Sequence, residues 1–161
     1  MIRMGMAIVV GAVIISMAAG MYMYAQYQTN YITGTAGKAI TVGPVEYVIT
    51  FEGTHEGSEE VIPENTFVMI GISAKNISNE ETMMSGGQFY ILDEKEQKHE
   101  AVRGQFSEKD LWLEKLAPNK PIHRTTQFDI PFDEENQYKI IIRPQKEQST
   151  VDTAVVCLTN C

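Results

Sequence analysis

Cys157 and Cys161 are the only cysteines in the chain. Their C-x3-C spacing at the C-terminal end is open to three kinds of chemistry. Outside the cytoplasm they can pair as a disulfide, which needs a turn at Asn160 and closes a very small loop. They can also remain free thiols, or supply two thiolates to a soft metal. A structural zinc site takes about four ligands. His55, His99 and His123 stand at no metal spacing from one another or from a cysteine, so no metal is expected. No G-x-S-x-G, P-loop or dinucleotide fingerprint occurs; neither a cofactor nor catalysis is expected. Acidic clusters at residues 56–60, 93–96 and 133–135 are rich in oxygen ligands but lack the alternating spacing of a calcium loop. They read as solvated loops. Asn76-Ile77-Ser78 is an N-glycosylation acceptor pattern, and an asparagine turn explains the same residues.

Charge narrows the partners. Arg3 is the only charged residue before Lys38, so all 21 acidic residues and 12 of the 13 basic ones lie from Lys38 onward, at a net charge of −9. Such a surface repels phosphate backbones, and a nucleic-acid partner is not expected. Solubility alone also accounts for the acidity.

The elements that hold these groups divide the chain into residues 1–25, 26–37 and 38–161. Residues 4–25 are uncharged and apolar. As a helix they would span about 33 Å, against a hydrocarbon core of about 30 Å. Tyr22, Tyr24, Tyr27 and Tyr31 cluster at the far end, where an apolar ring with a polar tip suits the boundary between lipid and water. Arg3 and the N-terminal amine favour a cytoplasmic N-terminus, which places the remainder outside. The expectation is one transmembrane anchor in the cell membrane. A cleaved signal peptide is the competing reading, with small residues at Ser16-Met17-Ala18 and Ala18-Ala19-Gly20; it leaves residues 38–161 on the same side. A pilin-like stalk is a third, although Arg3-Met4-Gly5-Met6 has its charge one position too early for pilin processing. Ala12, Ser16 and Gly20 recur every four residues, and Ala7 and Gly11 form a second pair. Such stripes allow close helix approach in lipid. Six of the nine methionines lie at or before Met23; they read as flexible apolar filler.

Residues 26–37 are polar, uncharged and rich in Gly and Thr, a linker composition. Residues 45–52 alternate apolar and polar, as in a strand with one buried face. Residues 67–74 are apolar on both faces, as in a central strand. Further strands are expected at 88–92, 99–102, 122–130, 138–143 and 153–159. Residues 107–115 suggest a short helix with Ser107 as N-cap. Short strands at regular turn spacing argue for a β-sandwich.

Thr41-Val42-Gly43 with the strand after it, the stretch 66–79, Phe89–Asp93, Leu116–Asn119 and residues 127–131 together resemble the telokin-like, immunoglobulin-like extracytoplasmic domains of prokaryotic secreted and membrane-anchored proteins. That family is of unknown function. The resemblance runs from about Ile40 to the end and implies an all-β, immunoglobulin-like antiparallel β-sandwich behind one N-terminal transmembrane helix. It carries over no catalytic residue. The functional expectation is a membrane-anchored, non-catalytic binding or accessory module with a protein partner in the membrane or at its outer surface. A metal or small-ligand carrier using Cys157 and Cys161 is the alternative from another class, and a pilin-like filament subunit a structural variant of the first.

Overall fold

The computed structural model describes residues 2–103, 106–148 and 150–161, without the side chains of residues 2–4 and 7. Its single long helix, α1 (Ile2–Gln26), is apolar on every side rather than along one stripe. A helix of that kind has no polar face to turn to water. Ala7 falls among the undescribed side chains.

Among the described residues eleven strands follow: β1 (Asn30–Thr35), β2 (Ala39–Val42), β3 (Val45–His55), β4 (Thr66–Asn76), β5 (Thr82–Ser85), β6 (Phe89–Leu92), β7 (Lys98–Glu100), β8 (Leu113–Leu116), β9 (Pro121–Ile130), β10 (Tyr138–Ile142) and β11 (Asp152–Thr159). They form a β-sandwich. One sheet runs β1-β11-β10-β6-β7, the other β2-β3-β4-β9, and β5-β8 make a two-stranded flap. All these pairings are antiparallel except β1 with β11, which run parallel.

Period-two patterning decides what is inside. Val45, Tyr47 and Ile49 of β3 point inward, as do Val68, Ile70, Ile72 and Ala74 of β4. Phe89, Ile91, Ile140, Ile142, Ala154 and Val156 close the core from the facing sheet. Tyr47 meets Phe89 edge to face across the two layers, at 5.9 Å between ring centroids, a favoured aromatic geometry. The tight connection from β2 to β3 needs Gly43, whose φ of 55° is left-handed.

Three local expectations are corrected. The stretch expected as a linker contains β1, which is stitched along its whole length to β11. The strand beginning at Val45 does not stop at residue 52; a bulge at Phe51/Gly53 carries β3 on to His55. Residues 107–115 are not a helix. The Asp110 carboxylate accepts from the N–H groups of Phe106 and Ser107 and from the Ser107 hydroxyl. The backbone then pairs with the edge of β9: Leu111 N–H donates to Thr125 O at 2.7 Å and Thr125 N–H to Lys109 O at 2.9 Å. Those tertiary bonds hold the chain extended and override a weak local preference.

Candidate functional site

The structure brings Cys157 and Cys161 together. The sulfurs lie at disulfide distance, with Cα atoms 5.8 Å apart, and Asn160 makes the turn with φ of 50°. The Asn160 side chain donates to the carbonyls of Glu134 and Asn136, so the last residues are tied to the β9–β10 connection. In that geometry the two sulfurs are placed for a disulfide, and a disulfide offers no thiolate to a metal.

Asn76 has 0% exposure in the folded chain, and its bonds are those of the asparagine turn, the other reading of the same pattern. Its amide donates to the carbonyls of Glu80 and Leu116 at 2.7 and 2.8 Å, and its carbonyl accepts from Ser78 N–H and Ser78 O–H. The same three residues that spell the acceptor pattern build a turn closed around the buried Asn76 side chain.

The histidines do not converge. His99 pairs with Asp93 at 3.0 Å and His123 with Ser73 at 3.1 Å. His55 Nδ1 accepts from Gly57 N–H, and its ring packs against Phe67 and Phe106. Burial works against the Asp93 charge, but the hydrogen bond from His99 and the N–H groups of Gln97 and Lys95 outweigh it, holding this carboxyl below the usual range. Among the described residues no three His, Cys, Asp or Glu side chains are placed to hold a metal ion.

On α1, Ala12, Ser16 and Gly20 are exposed, and the flank of the stripe is a shallow apolar concavity between Ile8 and Met17. Tyr22, Tyr24, Tyr27 and Tyr31 are exposed at and beyond the helix end.

Sequence reasoning missed the most site-like feature. A groove of about 510 Å³ opens beside the edge of β9, lined by Arg103, Phe106, Ser107, Glu108, Asp110 and Trp112 over a floor of Leu111. That volume is in the usual range for ligand sites. Trp112 is 67% exposed, with the Arg103 guanidinium 5.4 Å from its ring centre. A smaller concavity of about 140 Å³ continues past Arg103 and Trp112 to Gly86 and Thr126. The available signal was a lone tryptophan flanked by charges, in Glu108-Lys109-Asp110-Leu111-Trp112.

Residues 34–151 match a family described as a domain of unknown function (DUF4352). The chain belongs to the DUF4352 family. The matched span holds β2 to β10 and the groove, while α1 and the cysteine pair lie outside it. Among solved structures, the yjhA protein of Bacillus subtilis is 14% identical at a TM-score of 0.61, covering 78% of this chain and 98% of its own. The secreted protein MPT63 of Mycobacterium tuberculosis is 7% identical at 0.62, covering 81% and 98%. At such identities the likeness concerns the fold: this DUF4352 chain and these neighbours share the β-sandwich. No curated protein matches this DUF4352 chain.

Proposed function

We propose that this chain is a membrane-anchored, extracytoplasmic, non-catalytic binding or accessory module with an immunoglobulin-like sandwich. One observation carries the reading. α1 is long and apolar enough to cross a membrane, none of its span is buried against the sandwich, and only residues 27–29 separate it from β1. A fully apolar helix exposed on all sides needs a non-aqueous surrounding. A three-residue connection reaches about 10 Å, so the sandwich would sit directly on the bilayer. The tyrosines at the junction suit the headgroup layer. The small-residue stripe Ala12, Ser16 and Gly20 offers a face for a second helix, and the partner is a membrane protein or one at the outer surface. The secreted nature of the Mycobacterium neighbour accords with the side of the membrane assigned to the sandwich.

The experiment is expression of the full chain in a bacterial host, followed by mass measurement of the mature N-terminus and protease treatment of intact spheroplasts. The proposal expects an uncleaved N-terminus, a membrane-bound chain, and a sandwich digested from outside. A soluble product trimmed near Ala18–Gly20 would replace the anchor with a signal peptide. A protected sandwich would overturn the topology.

A further inference from the structure

We propose that the groove beside Trp112 binds a neutral sugar ring of a glycan outside the cell membrane. The groove is a built feature. The Asp110 carboxylate holds the loop by accepting from Phe106 N–H, Ser107 N–H and the hydroxyls of Ser107 and Thr125, while the β9 edge fixes Lys109 and Leu111. The site is therefore organised before any ligand arrives.

Its chemistry selects the ligand. The Trp112 ring is an exposed apolar plate with the Arg103 guanidinium over one face, and Glu108 stands exposed beside it. A pyranose has C–H groups on its faces and hydroxyls around its rim, each hydroxyl both donating and accepting. An aromatic plate with a donor-only guanidinium and an acceptor-only carboxylate matches that pattern. Arg103 is the one cation of the lining, against the carboxylates of Glu108 and Asp110; Asp110 is spent on four neutral donors but keeps its charge. An anionic polymer is opposed by that lining and by the −9 charge of residues 38–161, whereas a neutral one meets no such repulsion.

An extended peptide fits less well. Strand addition needs free backbone groups, and here the N–H groups of Phe106, Ser107, Lys109, Asp110 and Leu111 are all spent within the fold. Trp112 O likewise accepts from Gly86 N–H. Recognition falls to side chains. The continuation towards Gly86 and Thr126 gives room for a second ring.

Trp112 is the only tryptophan, so its emission reports this groove alone. The full chain, in a detergent without sugar headgroups, is titrated with neutral oligomers of N-acetylglucosamine and of glucose, an oligomer of a uronic acid, and a neutral proline-rich peptide. This test stands whether or not α1 is retained in the mature protein. The expected result is a saturable emission shift with a neutral oligomer and none with the uronic acid oligomer. Kd should rise about tenfold or more in Arg103→Ala and in Glu108→Gln, as for loss of a hydrogen bond to a charged group. Both side chains are exposed, and unchanged urea unfolding will confirm that the variants fold. Absence of a shift with every neutral oligomer up to about 10 mM, beyond the millimolar limit of useful affinity, overturns the proposal. So does a shift with the peptide alone, or one unchanged in both variants.

Discussion

Replacing Asn76 by alanine separates a structural turn from a modification site. In the folded protein the side chain makes four hydrogen bonds and has no exposure. Alanine would leave the carbonyl of Leu116, itself a fully buried residue, without that donor, and Ser78 N–H without its acceptor. Glu80 O lies at a more open position, and water replaces its lost bond. Each buried group left unpaired costs about 1–3 kcal/mol, so Asn76→Ala should lose about 3 kcal/mol. For a sandwich of this size that lowers Tm by about 12 °C, at about 4 °C per kcal/mol. Ser78→Ala destroys the acceptor pattern equally but removes only one partly exposed hydroxyl, and should cost no more than about 1 kcal/mol. Urea unfolding of the three proteins, with intact mass after secretion from a eukaryotic host, is the assay. The reasoning fails if Asn76→Ala unfolds within about 0.5 kcal/mol of the parent, the range of neutral surface changes. It also fails if the secreted, folded chain carries a glycan on Asn76.

Three further outcomes are expected. Tyr47 has a fully buried hydroxyl that makes no hydrogen bond of good geometry among the described residues; the side-chain amides of Gln88 and Gln148 lie beside it but are aligned on Ser85, Arg143, Gln145, Thr82 and Met83. Tyr47→Phe keeps the ring against Phe89 and should raise stability by about 1 kcal/mol in urea unfolding. Cys161→Ser should lower Tm by up to about 8 °C, because closing so short a loop restricts the unfolded chain by about 2 kcal/mol; alkylation of the native parent should label no thiol until reductant is added. Asp93 has its folded pKa held below the unfolded value, so the hairpin contributes stability that is fully present above about pH 4 and lost as pH falls through the folded value. Asp93→Asn should flatten the acid limb of a pH–stability profile, and an unchanged limb would refute the assignment.

The sandwich was readable where one face is wet and the other dry. Val45, Tyr47 and Ile49 alternate with polar neighbours because β3 has such a pair of faces. β1 was unreadable for a physical reason. Its sequence Asn-Tyr-Ile-Thr-Gly-Thr is mostly polar, it turns only Ile32 and Gly34 towards the core, and its partner β11 lies at the other end of the chain. A parallel pairing leaves no hairpin signal. The groove was hidden by the same kind of ambiguity. Leu111, Trp112 and Leu113 resemble the apolar face of a helix, yet only Leu111 is buried once the backbone is drawn out along β9. Asn76 shows the converse, a specific pattern whose residues are consumed by local geometry.

Chain direction orders these features along the axis that the proposed anchor would set. β1 leaves α1 at Asn30, where it pairs with Asp152, and reaches Cys157 at Thr35. Six strand residues rise about 20 Å, so the cysteine pair caps the end of the sandwich farthest from the helix. β4 runs the other way relative to β3 and delivers Asn76 opposite Val45, beside the β2–β3 turn. That turn lies at the end where β1 begins, because β2 returns from the top of β1. The buried asparagine therefore supports the end near α1, and the tied C-terminus the far end. The groove lies between them, where Val102 and Asp110 bridge to Gln127 and Thr125 midway along β9. A site on the flank is not covered by the pinned terminus and, with the proposed anchor, would not be pressed against headgroups. Under the proposed anchoring it would stay open to a polymer lying along the membrane surface.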